Sequence, residues 1–251
     1  MVSKALAIAT FVGAFTLLGN AAESPSKSLP SREALDYTIE WRLVTAGKAH
    51  LTFNLQPGDL SKGYDLKLHV ESLGMVSRLF HVNDDYSAVV TPDLCAVSTF
   101  MSAHEGSRNR ESRVTYDAHK ATFQERDLNK NAVTGHNEVE IPSCVHDLIG
   151  GLYELRTMNL EPGKSGQIAI SNGKRNVSLK VDAQRRETLK IGSTEYKTIE
   201  YEVFAFNNAL FQRPGHLNIW LSDDKRHLPV QVQIRLQFTV GTIVFRLDKA
   251  E

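Results

Sequence analysis

The most regular feature of the chain is an alternation of apolar and polar residues with a period of two. The first run has apolar positions at Leu35, Tyr37, Ile39, Trp41 and Leu43, and the next has them at Ala49, Leu51, Phe53 and Leu55. Because successive side chains of a strand point to opposite faces, this pattern predicts half-buried strands. Turn sequences between the runs, such as Gln56-Pro57-Gly58-Asp59, predict antiparallel neighbours.

The alternation continues to the C-terminal end and predicts about fourteen strands. Asn172-Gly173 is typical of a two-residue hairpin turn, because both residue types tolerate positive φ. A second hairpin is predicted over Trp220 to Val230, with its tip at Asp223 to Arg226. Pro229 has no N–H to donate, so it should begin a strand or face away from its partner.

One segment departs from the strand pattern and has helical spacing. Apolar residues recur at Leu148, Ile149, Leu152, Tyr153 and Leu155, and Asp147 before them can cap a helix. We therefore predict a helix over about residues 147–158, closely packed on a sheet where Gly150 and Gly151 occur. A shorter candidate helix lies around Gly74 to Leu79.

Together these elements predict a mainly β fold: a large curved antiparallel sheet or open β-barrel with one packed helix. The polar, proline-bearing residues 22–33 are typical of a flexible leader. No linker divides the remainder, so residues 34–251 are predicted to form a single β-rich domain.

The N-terminus has the layout of a secretory signal peptide. Lys4 precedes an apolar core from Ala5 to Leu18, and the small residues Gly19 and Ala21 follow. This pattern predicts a signal peptide over residues 1–21 and export to the periplasm or the extracellular space. The alternative is an uncleaved anchor. No later run approaches the length of a membrane span, so none is predicted in the mature chain.

The charge balance excludes a strong field around the mature protein. The full chain has 29 Lys and Arg and 29 Asp and Glu, and cleavage removes Lys4. A chain so close to neutrality has no overall attraction for nucleic acid, and we predict no nucleic-acid partner. The sequence sets no oligomeric state.

The two cysteines, Cys95 and Cys144, each follow a chain-reversal signal. Because an exported protein enters an oxidising compartment, we predict a disulfide between them. The alternative is a pair of buried free thiols. Their spacing is not that of a redox motif.

Candidate chemistry is sparse. The adjacent carboxylates Asp223 and Asp224 could act as acid and base, but the same residues are typical of a hairpin turn. On an extended strand Arg108 and Arg110 point to the same side and could bind a carboxylate or phosphate, or could form cross-strand ion pairs. Arg156 is a third candidate binding cation. The standard phosphate, hydrolase and metal motifs are absent from the sequence, and we predict no cofactor and no metal site.

Three segments in order carry a resemblance to a known family. They are Val145 to Arg156, Leu160-Glu161-Pro162-Gly163 and Ile219 to Val230, and Leu35-Asp36-Tyr37 with Ala46 to Ala49 fits as well. Over roughly residues 34–248 the chain resembles the bacterial exported family known as domain of unknown function 3108. The resemblance implies a β-rich periplasmic or secreted protein. It implies no assigned activity.

Three functions remain open at this point. The first is non-enzymatic binding of an apolar or amphipathic envelope molecule, a lipid-like or glycan ligand, in a pocket lined by some of the eleven Phe, seven Tyr and two Trp. The second is a cell-envelope assembly factor that binds protein. The third is a carbohydrate-active hydrolase that uses Asp223 or Asp224.

Export gives the first testable prediction. N-terminal sequencing of the protein recovered from its own host should begin at or near Ala22, because Gly19 and Ala21 place small residues three and one positions before that cut. Recovery of the full-length chain from the cytoplasm would contradict it.

Overall fold

The computed structural model describes residues 29–58, 62–236 and 241–251, so the predicted signal peptide and most of the predicted leader lie outside the described residues. Within these ranges the chain forms fourteen strands and two helices. The strands are β1 (Arg32–Trp41), β2 (Val44–Leu55), β3 (Tyr64–Ser72), β4 (Val82–Val90), β5 (Ala96–Glu105), β6 (Arg108–Tyr116), β7 (Lys120–Asp127), β8 (Ala132–Glu140), β9 (Ser165–Ser171), β10 (Asn176–Ile191), β11 (Thr194–Val203), β12 (Gly215–Ser222), β13 (Pro229–Leu236) and β14 (Gly241–Ala250). The helices are α1 (Gly74–Leu79) and α2 (Leu148–Thr157).

All the described strands belong to one antiparallel sheet. Its order is β8-β7-β6-β5-β4-β3-β2-β1-β14-β13-β12-β11-β10-β9, so the first and last strands pair in the middle and two meanders extend from them. The edge strands β8 and β9 do not pair with each other, and the sheet is not closed. The predicted mainly β fold, an open curved sheet with a packed helix, is confirmed.

The inner face of the sheet follows the predicted alternation. Leu35, Tyr37 and Ile39 of β1 are buried, and they lie opposite the buried residues Leu51, Ala49 and Gly47 of β2. All of these except Gly47 belong to the largest hydrophobic cluster, together with Tyr153 of α2. Helix α2 therefore packs against the inner face, and its aromatic ring stacks on Phe53 with 4.1 Å between centroids.

Two local predictions were wrong. Leu43 was expected on the buried face of the first strand, but β1 ends at Trp41, and Arg42 and Leu43 form a two-residue turn with φ of 50° and 69°. The predicted two-residue turn at Asn172-Gly173 is a four-residue loop, since Ser171 pairs with Asn176. The Asn172 side chain caps that loop by accepting from the N–H groups of Lys174 and Arg175.

Helix α2 begins where the sequence predicts. Asp147 is its N-cap, and the carboxylate accepts hydrogen bonds from the N–H groups of Ile149 and Gly150. A Cβ at Gly151 would clash with the end of the Ile170 side chain in β9, so helix and sheet approach closely here and a larger residue would need Ile170 to move. The shorter helix α1 also forms where its candidate lies.

The disulfide between Cys95 and Cys144 is present, with Cα atoms 5.0 Å apart. It fixes the segment that precedes α2 to the loop between β4 and β5. That segment forms backbone hydrogen bonds with strands from both meanders. The Ala96 N–H of β5 donates to the Val145 carbonyl, and His146 forms a β-bridge with Ile170 of β9. Closing a loop of 49 residues is worth about 4 kcal/mol in the chain-entropy model.

A buried ion pair joins the central strand to the helix. Glu33 of β1 accepts two hydrogen bonds from the Arg156 guanidinium, at 2.6 and 2.9 Å, and a third from the Tyr153 hydroxyl at 2.9 Å. Arg156 also donates to the carbonyl of Arg226 in the β12–β13 loop. Burial lowers the pKa of Arg156, but the hydrogen bonds and charge of Glu33 outweigh it and the pKa is raised.

The folded domain begins earlier in the chain than the sequence predicts. The predicted leader ends at residue 33, whereas β1 begins at Arg32 and Glu33 is buried. The last two residues of the predicted leader therefore belong to β1, and Leu29 before them packs against the main core.

The buried pair gives a stability prediction. Glu33→Gln leaves the Arg156 charge buried without its carboxylate, and the free energy of unfolding in urea should fall by about 3–5 kcal/mol. The matched control is Glu161→Gln, which breaks the exposed pair with Arg186 and should lower the free energy of unfolding far less than Glu33→Gln. Equal effects of the two substitutions would contradict the structural role of Glu33.

Candidate binding site

A cleft of about 350 Å³ lies on the inner face of the sheet, on the wing formed by β4 to β7. The start of α2 and the β9–β10 loop (172–175) face this wing across the cleft, and we call the space the lumen cleft. Its apolar side chains are Met101, Val114, Phe123 and Leu148. Its hydroxyl groups belong to Tyr86, Thr99, Ser112, Tyr116 and Ser171, and its charged residues are Arg108, Arg110, Glu125 and Lys174.

The character of the cleft changes along strand β6. Alternate residues of this strand share the inner face, and they run from Tyr116 and Val114 through Ser112 to Arg110 and Arg108. Val114 and Arg108 are six residues apart, which is about 20 Å along an extended strand. The lumen cleft is therefore apolar beside α2 and cationic toward the β5–β6 turn.

Arg108 and Arg110 line the cleft together. Arg110 forms an ion pair with Glu105 of β5 at 2.9 Å, as the cross-strand alternative allows. Within the described parts of the chain, no carboxylate lies within ion-pair distance of Arg108. Arg113 belongs to the opposite face and stacks on the Phe100 ring at 4.3 Å.

A third cation comes from the other side of the cleft. The Lys174 ammonium lies 4.1 Å from the centroid of the Phe123 ring and 3.7 Å from a carboxylate oxygen of Glu125. Counting Glu105 as the partner of Arg110, the three cations outnumber the two carboxylates by one charge. The lumen cleft as a whole is thus mildly attractive to an anion.

The polar groups at the apolar end of the lumen cleft are neutral hydroxyls. Tyr86 donates to the Asp147 carboxylate at 2.7 Å, and Tyr116 donates to the carbonyl of Ser171 at 2.9 Å. Burial raises the pKa of both tyrosines above the ordinary value, so both stay protonated. Burial also raises the pKa of Asp147, against the hydrogen bonds from Tyr86, Ile149 and Gly150.

Asp223 and Asp224 lie at the tip between β12 and β13 and are not among the residues that line the lumen cleft. Asp223 accepts from the Arg186 guanidinium at 2.8 Å. Asp224 accepts from the Ser222 hydroxyl and the Arg226 N–H, as a turn residue does. Pro229 is the first residue of β13. These contacts are those of the predicted hairpin.

Arg156 is placed inside the protein, where Glu33 and the Arg226 carbonyl occupy its guanidinium. It is not among the residues that line the lumen cleft. Over the described ranges, no group of three His, Cys, Asp or Glu residues is arranged to hold a metal ion. None of the helices in those ranges is both long and apolar enough to cross a membrane.

Several residues of the site are not predicted by sequence reasoning. Lys174 reaches the cleft only because the β9–β10 loop faces the opposite wing, which no local pattern indicates. Tyr86 is predicted as a strand residue, but its bond to Asp147 joins positions 61 residues apart. The one available signal is the period-two row on β6, where cations replace apolar residues on the inner face.

Comparison with known proteins identifies relatives of this chain. The sequence model of a family described as "Protein of unknown function (DUF3108)" matches residues 36–248. No curated protein sequence matches. A crystal structure from Brucella abortus, described as a β-barrel-like protein of domain of unknown function DUF1849, is similar in fold, with TM-score 0.57 and 10% identity over 88% of this chain and 97% of that one.

A second structure, a DUF1089 family protein from Pseudomonas aeruginosa, has TM-score 0.39 and 12% identity over 76% of this chain and 90% of that one. The similarity to the Brucella abortus protein shows the shared β-barrel-like fold. Neither protein is described with a function.

The raised pKa of Asp147 gives a pH prediction. Between its ordinary value and the raised value, the folded protein binds more protons than the unfolded chain, so this residue adds stability as the pH falls. The free energy of unfolding of the native protein, minus that of Asp147→Asn, should increase from pH 7 toward about pH 4. Urea titrations at a series of pH values measure it, and a constant difference would contradict the burial of a carboxyl group here.

Proposed function

We propose that this protein, which belongs to the DUF3108 family of proteins of unknown function, is an exported, non-enzymatic binding protein that holds an amphipathic molecule of the bacterial envelope in the lumen cleft. The single observation that carries the proposal is the polarity gradient along β6, from Val114 beside α2 to Arg108 at the open end. An amphipathic ligand matches that gradient at both ends.

The inner face of β4 to β7 supports a ligand site rather than a packed core. Charged side chains are rarely placed on the inner face of a sheet, because burial without partners is costly. Here Arg108, Arg110 and Glu125 occupy inner-face positions beside buried Val114 and Phe123. A space bounded in this way stays accessible to solvent and to a ligand, while its walls retain apolar surface.

The size of the cleft sets the scale of the bound group. A volume of about 350 Å³ lies at the lower end of the roughly 300–1,000 Å³ typical of small-molecule sites. It fits one chain segment or one head group of a lipid-like molecule, with the remainder outside. An acyl segment would contact Met101, Val114 and Leu148, and an anionic group would reach Arg108.

Export is supported by two independent features. The N-terminal residues have the order of a signal peptide: a basic start, an apolar core and small residues before the cut. The Cys95–Cys144 disulfide is typical of proteins that fold in an oxidising compartment. A periplasmic or extracellular protein would meet amphipathic envelope molecules directly.

The contacts of the candidate acids favour binding over hydrolysis. Asp223 and Asp224 are each held by neighbouring hairpin groups, with Arg186 on one and Ser222 on the other. A general acid and base need positions that a substrate can reach between them. Both carboxylates are instead engaged in contacts that stabilise one tight turn.

The proposal is tested with dodecyl phosphate as the probe. Arg108→Ser removes a cation that has no carboxylate partner among the described residues, and it should weaken binding about tenfold. Leu148→Asp should abolish binding, because it places a charge on the apolar wall, and the helix should tolerate it because an acidic residue at an N-terminus is favourable. Isothermal titration calorimetry measures both.

The matched control is Arg113→Ser, on the same strand but on the opposite face. It should leave the affinity for dodecyl phosphate unchanged. Native mass spectrometry of protein purified from its host should show a retained ligand that Leu148→Asp loses. Absence of both a retained ligand and probe binding, or an equal loss in Arg113→Ser, would contradict the proposal.

A further inference from the structure

Exposed apolar side chains are concentrated at one place on the molecule. Across the described ranges ten large apolar side chains are exposed, and five of them come from the β1–β2 turn and the region of α1. These five, which we call the apolar tip, are Leu43 (92% exposed), Val44 (54%), Met75 (78%), Leu79 (73%) and Phe80 (55%). A concentration of this kind indicates an interaction surface.

The two segments of the apolar tip are neighbours in the fold. Helix α1 packs against β2, and the N–H of Leu73 donates to the carbonyl of Ala46 at 2.8 Å. Val76 of α1 is partly buried against the main core, whereas Met75 and Leu79 are exposed. The tip is therefore a fixed feature carried by the sheet.

The folding of these segments does not account for their apolar residues. Leu43 has φ of 69° in a two-residue turn, where Asn or Gly is favoured and a leucine is strained. Helix α1 has no buried residue and no side-chain N-cap. Polar residues would satisfy both positions at lower cost, so their apolar character indicates a partner.

The two segments of the apolar tip contain basic residues and no acidic ones, and with Glu71, which lies opposite Lys48 on β3, counted in, this region keeps a net charge of +2. Residues 42–48 and 74–81 contain Arg42, Lys48 and Arg78 and no Asp or Glu. Cations that flank exposed apolar side chains complement a surface that is negative outside and apolar beneath. The surface of a bilayer with anionic lipids has both properties.

The size of the tip favours a bilayer over a protein partner. Stable protein interfaces use roughly 20–30 residues on each side, whereas the tip offers five apolar side chains in two short segments. Binding to the head-group region instead strengthens with the apolar area inserted and with the attraction of nearby cations to anionic lipid. We therefore propose that the apolar tip docks this protein on the surface of a membrane that contains anionic lipid.

The apolar tip also lies beside the cationic end of the lumen cleft. Phe80 is adjacent to Gly106 in the β5–β6 turn, and the Gly106 N–H donates to the carbonyl of His81 at 2.7 Å. Arg108, which lines the cleft, follows two residues later. A docked protein would thus present the cleft to the membrane surface. The docking itself does not depend on the binding proposed for the cleft.

The test is flotation of the mature chain with vesicles, either phosphatidylcholine alone or an equal mixture with phosphatidylglycerol. The native protein should float with the anionic vesicles. Met75→Ser/Leu79→Ser should weaken that binding at least about tenfold, and Arg78→Glu should do the same through charge. The matched control is Val133→Ser, since Val133 is also 73% exposed but lies on edge strand β8, and it should leave flotation unchanged.

Folding of each variant is checked by thermal unfolding, and only variants with native cooperativity are compared. Failure of the native protein to float with anionic vesicles overturns the proposal, and so does equal weakening by Val133→Ser. Self-association that Met75→Ser/Leu79→Ser abolishes, with no vesicle binding, would show a protein partner and would also overturn it. Leu148→Asp should still float while it loses dodecyl phosphate, which separates this result from the test of the lumen cleft.

Discussion

The buried pair of Glu33 and Arg156 is the contact on which the arrangement of sheet and helix depends. Glu33 belongs to β1, the strand at which the two meanders meet through β14, and Arg156 belongs to the last turn of α2. Arg156 reaches on to the carbonyl of Arg226, and the His227 ring donates to the carbonyl of Arg156 at 2.6 Å. The central strand, the helix and the β12–β13 loop are therefore connected within one cluster. Separating the helix from the central strand would leave a charge buried without its partner, which costs several kcal/mol, and separating the loop would leave hydrogen-bonding groups unpaired.

The fold could be predicted from the sequence because its rules are local. Alternation along β1 and β2 requires one buried face, and the cap at Asp147 with helical spacing after it requires a helix. The failures have equally specific causes. Leu43 continues the apolar pattern, yet it lies in a turn, because pairing of Trp41 with Val44 ends the strand two positions earlier. Glu33 lies in a polar segment that is typical of a leader. Its burial is explained only by its partner Arg156, which is 123 residues away.

Some residues of the lumen cleft can be predicted from the local sequence, whereas others depend on contacts between segments distant in sequence. Arg108 and Arg110 share a face because they are two residues apart on one strand, and the sequence shows this directly. Lys174 and the bond between Tyr86 and Asp147 depend on how the two wings face each other across α2. Their positions follow from the disulfide and from the bridge between His146 and Ile170, which hold the helix start against both wings. A single sequence contains no local signal for that approach.

The lumen cleft exists because the helix is short relative to the sheet. Ten residues of α2 extend about 15 Å, whereas strands of nine or ten residues extend roughly 30 Å. Helix α2 therefore covers only part of the inner face of β4 to β7. If the uncovered part of that face were apolar, it would be stable only when another packed element covered it or when it closed onto helix α2. Cations at Arg108 and Arg110 remove that requirement, because they remain hydrated on an uncovered wall. The change from valine to arginine along β6 thus determines where the core ends and where the proposed ligand would enter.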